Sequence, residues 1–417
     1  MLNQFKKNNI KKKFFSTILL SMLFNTTLAQ DRQFLINAST NTTNTDYWWA
    51  NKNNFGRENV DFYFSSSFKK KDNKKTYLFD ISINSENKIY INESFIKFNF
   101  SEKTFLRIGK YYRDFSAYLN DEISSGSILV SHNAEPMPKI GFFSSKDFKR
   151  NEYINFEFGI AHGFFDKNEF YNSPPLLHEK FLYMNFVKPS YQFGIGFVHE
   201  AIWGGSTFLL GKQPQTIKNF LKIFSSADGP LKEGQPHANA LGNHLGIWDF
   251  YYLRNFNDYL IKVYYQHLFE DTSGLRFANK WDGLWGLELT NYIPKTNIIF
   301  EYLDTTNQFI NPPYVAESYF NHGEYLDGWG YRNYTIGNPF ISHVNPNPSS
   351  VIYMGVNGII FNDFSYQIKA SRKVNIHDII SYKIGIKKEI FFNQILGFTV
   401  VNDDKKIGIQ LSLSKTL

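Results

Sequence analysis

Residues 407–414 read IGIQLSLS, and the stretch alternates between one apolar residue and one small or polar residue. Successive side chains of a β-strand point to opposite faces, so this period of two predicts a strand with one apolar and one polar face. The same period returns at 154–161 (INFEFGIA), 285–290 (WGLELT) and 382–387 (YKIGIK). The chain is therefore predicted to be all-β and antiparallel.

Alternation by itself does not distinguish a soluble exported β-protein from a membrane barrel, because in both classes every second residue of a strand is apolar. These residues form the apolar parity of the strand. In a membrane barrel that parity faces lipid and the polar parity lines the lumen. Three features favour the membrane barrel. The segments are about ten residues long, as a tilted membrane strand requires. They recur over almost the whole chain, and Tyr, Trp and Phe crowd the strand ends, within an aromatic content of 18%.

The number of strands is estimated from the recurring segments between residues 59 and 415. There are nineteen candidates, among them 333–342, and the two shortest, 123–131 and 138–144, are the weakest. Because bacterial barrels have even strand numbers, we expect a transmembrane β-barrel of about 18 strands.

The first residues are predicted to be a secretory signal peptide. Five lysines precede an apolar stretch at 14–24 (FFSTILLSMLF), and 27–29 (TLA) places small residues at the cleavage positions. Eleven apolar residues are too few for a spanning helix, which needs roughly 20. We expect residues 1–29 to be the signal peptide and 30–417 to be one barrel domain.

The charge balance argues against a nucleic-acid partner. The formal net charge is +7, but residues 1–29 hold five of the 45 basic residues and none of the 38 acidic ones, which leaves +2. The chain has no cysteine, which excludes disulfides, thiolate metal sites and a cysteine nucleophile.

One segment departs from the strand pattern. Near 214–228 apolar residues recur at helical spacing between Pro214 and Gly229-Pro230, which predicts a short amphipathic helix. This helix belongs to a long connection at about 204–240, and a second long connection spans 306–334.

The enzyme and metal-binding motifs in this sequence are incomplete. The stretch 199–203 (HEAIW) begins as a zinc-protease helix does, but Trp203 stands where the second histidine is needed. No G-x-S-x-G elbow is present. Glu270 and Asp271 are adjacent, so on a strand they would point to opposite faces rather than form a hydrolase pair. We expect no enzyme activity, no metal and no cofactor.

Several short motifs occur in a fixed order in the middle of the chain. They are HN at 132–133, PMPK at 136–139, HEK at 178–180, NALGNHLG at 239–246, FEDTSG at 269–274, DGLWGLE at 282–288 and IGNPF at 336–340. On these segments the sequence resembles the capsule assembly protein Wzi family, over roughly 90–415. One departure is the C-terminal Lys-Thr-Leu, which lacks the terminal aromatic residue of many outer-membrane barrels.

The resemblance implies an outer-membrane barrel of Gram-negative type with a small helical periplasmic plug, to which the 214–228 helix would belong. It also implies a lectin-like protein that binds and helps retain or assemble capsular polysaccharide or exopolysaccharide at the cell surface. The other implied partners are outer-membrane lipid and the barrel-assembly machinery.

Ten residues are candidates for glycan binding or plug anchoring. They are His199, Trp203, Asn243, His267, Glu270, Asp271, Trp285, Glu288, Glu301 and Trp329. We expect most of the acids and histidines to bond the plug to the barrel wall, with direct sugar contact as the alternative. Glu288 has the parity opposite to Trp285 and should face the lumen. His199 has the same parity as the apolar residues of its strand, and a histidine that faces lipid would be costly. We therefore expect the strand to end before His199, with His199 and Trp203 in the connection to the helix.

A porin-like or oligosaccharide-selective channel is the alternative function. It is suggested by polar residues at the strand positions that alternate with the apolar ones and would line the lumen. They are Lys97, Glu157, Gln367, Lys369, Lys383, Lys387 and Gln410.

Overall fold

The computed structural model describes residues 32–41, 56, 62–208, 210–231, 238–270, 272–308, 319–344, 348–361, 363–374, 379–403 and 406–416. The predicted signal peptide, 1–29, lies outside these ranges. The strands are β1 (Arg32–Asn41), β2 (Phe62–Lys71), β3 (Lys75–Asn84), β4 (Ile89–Ile91), β5 (Ser94–Ser101), β6 (Thr104–Lys110), β7 (Pro138–Asp147), β8 (Ile154–Phe164), β9 (Tyr171–Ser173), β10 (Leu176–Lys188), β11 (Tyr191–Trp203), β12 (Ser206–Thr207), β13 (Gly211–Lys212), β14 (Asn243–Asn255), β15 (Leu260–Phe269), β16 (Gly283–Thr290), β17 (Thr296–Asp304), β18 (Gly330–Tyr331), β19 (Tyr334–Thr335), β20 (Ser350–Ile360), β21 (Phe364–Lys373), β22 (Ile379–Glu389), β23 (Gln394–Asp403) and β24 (Lys406–Thr416). The helices are α1 (Ile217–Ser225) and α2 (Thr272–Leu275), with a 3-10 turn at Phe391–Asn393.

The long strands form one closed antiparallel ring. The main sheet has 19 strands, of which β4 and β5 pair in succession along β3 and fill one position, so the ring has 18 positions. β1 pairs with β2 on one side and with β24 on the other, which closes the barrel. The predicted antiparallel β-barrel and its strand number of about 18 are confirmed.

Three of the strand predictions differ from the structure. Residues 123–131 and 333–342 are not strands of the ring, and β1 was not among the candidates. The weak candidate 138–144 is real and lies within β7. The two false candidates contain alternating apolar residues because they pack inside the lumen, where burial selects apolar side chains without requiring a strand.

The two faces of the wall differ as a membrane barrel requires. On β10 the alternate residues Leu182 and Met184 are 52% and 44% exposed on the outer face. Tyr183 and Asn185, which alternate with them, are buried against the interior. The same arrangement recurs on other strands, for example on β17, where Phe300 is exposed outside. An outer surface made of apolar side chains is suited to lipid.

The connections at the two ends of the barrel differ in length. One end has short turns, such as 72–74, 102–103 and 189–190. The other has the long connections 111–137, 204–242 and 305–349. We call these the turn end and the loop end. Short turns at one end and longer loops at the other are the usual arrangement of bacterial outer-membrane barrels.

The largest hydrophobic cluster lies inside the barrel. It joins residues of 111–137 and 319–344, such as Leu129 and Trp329, to inward residues of the wall such as Tyr183. Among the described residues, no helix has the length and apolar character needed to cross a membrane.

Candidate functional site

Segment 111–137 fills the lumen and is held there by a buried carboxylate. Asp249 of β14 is fully buried and points inward. Its Oδ2 accepts hydrogen bonds from Ser116 Oγ and Tyr183 OH, both at 2.6 Å, and its Oδ1 accepts one from Tyr118 OH. Gln266 Nε2 of β15 lies 3.4 Å from the same carboxylate. Two residues of the segment and two of the wall are thus joined at one point.

An ion pair forms a second anchor nearer the turn end. Lys262 Nζ lies 2.5 Å from Glu288 Oε2, and both side chains are less than 10% exposed. Lys262 also donates to the backbone oxygen of Tyr118 at 2.5 Å. Asn120 Nδ2 donates to Glu288 at 3.1 Å. Since Lys262 is the third residue of β15, the segment reaches almost the full depth of the barrel.

A third anchor lies on β17 and β20. Glu301 accepts hydrogen bonds from the Ser125 backbone N–H at 2.6 Å and from Tyr264 OH. Tyr353 OH donates to the backbone oxygen of Ile123 at 2.6 Å. The backbone groups of a segment without regular structure are therefore paired with wall side chains, as burial demands.

Segment 319–344 makes a second layer above the first. Asn338 Nδ2 donates to Ser125 Oγ at 2.9 Å and to the backbone oxygen of Gly126 at 3.0 Å. A Cβ atom at Gly337 would lie 1.8 Å from the backbone oxygen of Ile128, so only glycine permits this approach. We call 111–137 and 319–344 together the plug.

A small cavity that contains a few buried charged groups lies between the plug and β10 and β11. Lys139 Nζ lies 2.8 Å from Glu179 Oε2, and Glu179 stands directly opposite Glu200 in the sheet. Trp329 also lines the cavity, and its Nε1 has no hydrogen-bond partner among the described residues. Glu179 and Glu200 are 4% and 1% exposed, so this cavity is closed to a polymer.

Helix α1 is not part of the plug, which corrects one prediction. Its buried residue Ile223 packs with Ala201 and Trp203 of β11, and the Phe220 ring lies 5.5 Å from that of Trp203. Ala201 and Trp203 have the outward parity of β11, which they share with Phe193. The helix therefore covers the outer wall. Its amphipathic pattern indicated one buried face but could not indicate which surface it covers.

The placement of His199 and Trp203 is corrected as well. β11 continues to Trp203, so both residues lie on the strand and face outward. His199 Nε2 lies 2.9 Å from His244 Nδ1 and 3.0 Å from Ser226 Oγ, which follows α1. A polar residue is tolerated on the outward parity here because α1 and the residue after it cover it and supply a partner.

The other candidates divide between the lumen and the outer wall. Glu288 and Glu301 face the lumen and bond the plug, and Trp329 is part of the plug. Asn243 is buried on the inward parity of β14. Glu270 is half-buried directly after β15, and Asp271 lies outside the described residues.

His267 and Trp285 lie on the outer face of the wall rather than on the lumen side. The ring of Trp285 stacks on Tyr265 at 3.8 Å, and its Nε1 donates to Trp281 O at 3.3 Å. His267 is buried on the same face, where Nδ1 bonds Tyr265 OH at 2.7 Å and Nε2 lies 3.1 Å from Gly274 O. Tyr265 and Trp285 are aromatic residues of the kind that form girdles at membrane interfaces, whereas His267 is buried and stacks on Phe277.

Sequence reasoning missed the most heavily bonded anchor residues, Asp249, Lys262 and Gln266. A signal was available, because each is a polar residue on the inward parity of a strand with an apolar outward parity. What the sequence did not show is that a distant segment supplies their partners: Ser116 is 133 residues from Asp249.

Two carboxyl groups near the loop end have raised pKa values. Burial raises the pKa of Asp282 to about 6, although hydrogen bonds from Tyr319 and Asn307 oppose the shift. Burial likewise raises the pKa of Asp327 to about 6, against a hydrogen bond from Asn168 Nδ2 at 2.7 Å. Among the described residues no group of three or more His, Asp or Glu is arranged to hold a metal ion.

Comparison with known proteins gives one family. The model of the family "Capsule assembly protein Wzi" matches residues 35–346. Among solved structures, the chain is similar to Escherichia coli Wzi, described as an outer membrane protein involved in group 1 capsule assembly and a carbohydrate-binding β-barrel. The identity is 14%, the TM-score is 0.62, and the match covers 93% of this chain and 85% of that one.

Weaker similarities extend to other barrels. Pseudomonas aeruginosa OccK5 (OpdH) has 8% identity and a TM-score of 0.48, over 94% of this chain and 99% of that chain. Acinetobacter baumannii OccAB4 has 10% identity and a TM-score of 0.46, over 94% and 100%. These two similarities are too low to bear on function. No curated protein sequence matches this chain significantly.

Proposed function

Because this chain belongs to the capsule assembly protein Wzi family, we propose that it binds capsular or related polysaccharide at the cell surface and helps retain or assemble it. The proposal places the barrel in the outer membrane with its loop end outside. It is supported by the description of E. coli Wzi as carbohydrate-binding and by the apolar outer wall of this barrel.

The observation that carries the proposal is the plug. A segment tied to the wall by Asp249, Glu288 and Glu301 is suited to a fixed surface rather than to an open pore. At the loop end this surface presents polar and aromatic side chains, the groups that bond hydroxyls and stack on sugar rings. We call the surface residues of 319–344 the mouth surface. They are the exposed and half-buried residues Asn321, His322, Gly323, Glu324, Leu326, Arg332, Asn333, Tyr334, Ser342 and Val344.

Arg332 anchors the mouth surface to the rest of the molecule. Its Nη1 lies 2.7 Å from Glu135 Oε2 and its Nε lies 2.5 Å from Asp166 Oδ2. The side chain remains 39% exposed. A guanidinium held in this way keeps donors available for the carboxylates and hydroxyls of a glycan.

Deletion of the gene is expected to lower the ratio of cell-attached to released polysaccharide, with total synthesis unchanged, because the surface-bound fraction loses its receptor. Restoring the wild-type protein, or an Arg150→Gln control altered in a turn-end residue, should restore the ratio. Arg332→Gln should restore it less well at equal folded protein. An unchanged ratio after deletion would contradict the proposal.

The proposal includes no catalytic step. Glycoside hydrolysis requires two carboxyl groups that reach the scissile bond. Glu179 and Glu200 are adjacent, but both are buried behind the plug and Lys139 neutralises one of them. Their placement supports a role in holding the structure together.

One observation favours passage of anions as a second function. Lys369 and Lys383 are direct neighbours on β21 and β22, and Lys387 has the same inward parity. Three lysines on one wall of the lumen would attract an anionic solute.

Single-channel recording in planar bilayers separates the two functions. The wild-type protein is expected to show no steady conductance, because the plug occupies the lumen. Steady conductance selective for anions, and reduced by Lys383→Gln, would favour transport. The control is Lys149→Gln, which removes one lysine from a short turn outside the lumen.

A further inference from the structure

Helix α1 has three kinds of surface around its axis. Ile223 is completely buried against the wall. Ile217, Leu221 and Phe224 are 82%, 60% and 42% exposed. At 100° per residue these three fall within one arc beside the packed face, and Lys218 falls beyond them. The described part of the chain therefore leaves a strip of apolar side chains on this helix uncovered.

The wall beneath α1 is unusually polar for an outward face. His178, His199 and His244 have the outward parity of their strands and are at most 5% exposed. Lys180 shares this face, and its Nζ donates to the backbone oxygen of Phe224 at the end of the helix. The helix thus screens these groups from lipid, where a bare cation would be costly, and its C-terminal dipole favours the lysine.

The apolar side of α1 continues the lipid-facing band of the barrel. The Phe224 ring lies 4.2 Å from Lys180 Nζ. The next two residues of β10 on that face are Leu182 and Met184, both exposed. Lys180 stands at the junction, where its Nζ donates to the backbone oxygen of Phe224, so the apolar side of α1 and the lipid-facing band lie next to each other.

The side of α1 away from this band is basic. Lys218 is exposed, and Lys222 follows one turn later, where its Nζ donates to Asp228 O at 2.8 Å. The neighbouring outer-wall segment after α2 repeats the composition with exposed Arg276 and Lys280 beside Trp281, which is 67% exposed. An apolar side next to a basic side is the composition of a helix that lies in a membrane interface.

We propose that α1 is an interfacial helix that binds phosphate-bearing anionic lipid of the outer leaflet. Ile217, Leu221 and Phe224 contact acyl chains, while Lys218 and Lys222 pair with the phosphate groups. The inference rests on the proposed orientation of the barrel in the outer membrane. It is independent of glycan binding, which we place on the mouth surface.

The first experiment measures the environment of the apolar side. The chain has no cysteine, so Leu221→Cys and Asn333→Cys each introduce one labelling site. Each variant is labelled with an environment-sensitive fluorophore and placed in nanodiscs that contain spin-labelled phosphatidylcholine. We expect strong quenching at position 221 and little at position 333 on the mouth surface. Equal, weak quenching at both sites, or a cross-linked dimer through position 221, would overturn the proposal.

The second experiment measures the headgroup preference. The protein is captured in phosphatidylcholine nanodiscs with or without bisphosphorylated lipid A, and the bound lipid A is quantified by native mass spectrometry. Lys218→Gln/Lys222→Gln should reduce the bound lipid A by about tenfold, since each lysine near an anionic surface adds attraction. The control Lys149→Gln/Arg150→Gln removes two charges from a short turn and should change nothing.

The two experiments separate this inference from the proposed function. Equal loss of lipid A in the helix double variant and in the turn double variant would show a nonspecific charge effect and overturn the headgroup assignment. Heat-resistant migration in electrophoresis verifies that each variant is folded. Normal lipid binding in a protein that fails to bind polysaccharide would leave the lipid site intact and refute the glycan proposal alone.

Discussion

Asp249→Ala is expected to lower the free energy of unfolding by about 3–5 kcal/mol, because three buried donors lose their acceptor and each costs about 1–3 kcal/mol when unsatisfied. The donors are Ser116 Oγ, Tyr118 OH and Tyr183 OH. Two of them belong to the plug and one to the wall, so the same change also weakens the attachment of 111–137. The measurement is urea unfolding of the protein refolded in lipid vesicles.

Two control variants accompany the Asp249 experiment. Asp249→Asn keeps one acceptor oxygen in place and should retain part of the lost stability. Glu152→Ala removes an acid from the exposed turn between β7 and β8 and should change the stability by no more than about 0.5 kcal/mol. If Asp249→Ala were no more destabilising than Glu152→Ala, the carboxylate would not be an anchor.

Glu288→Leu is expected to cost about 3–5 kcal/mol, because it leaves the Lys262 ammonium buried without its counter-charge. At this anchor, Lys262 Nζ and Glu288 Oε2 form an ion pair at 2.5 Å. Asn120 Nδ2 also donates to Glu288 and would lose its acceptor. The unfolding transition in urea again gives the free energy.

The double variant Lys262→Met/Glu288→Leu tests whether the charge, rather than the shape of the site, is responsible. Replacement of both partners by apolar residues removes the unpaired charge, so most of the lost stability should return. A double variant as unstable as the sum of the two single variants would show that the two residues act separately, and the ion pair would then be no anchor.

The fold could be predicted from the sequence because the strand period is a local property. In residues 407–414 the alternation places apolar side chains on one face whatever the rest of the chain does, and 18 such strands leave few architectures other than a closed barrel. The inward direction of Glu288 followed from the same local rule. Trp285 has the opposite parity and lies on the outer wall, as the same rule requires, although it was also named as a candidate for glycan binding or plug anchoring.

The prediction of the site went less far because its partners are distant in sequence. The spacing between Ser116 and Asp249, or between Ser125 and Glu301, has no local signature. Helix α1 shows the same limit, since an amphipathic pattern indicates that one face is buried but not whether the lumen or the outer wall buries it.

By itself the sequence determined the all-β class, the two faces of each strand, the approximate strand number and the residues that form one helix. Each of these depends on neighbours along the chain. Tertiary structure alone decided that 111–137 and 319–344 fill the lumen, that α1 lies outside, and that Asp249 and Lys262 are anchors. These depend on which buried polar groups meet across the barrel, and that is settled only when the ring closes and every buried donor must find an acceptor.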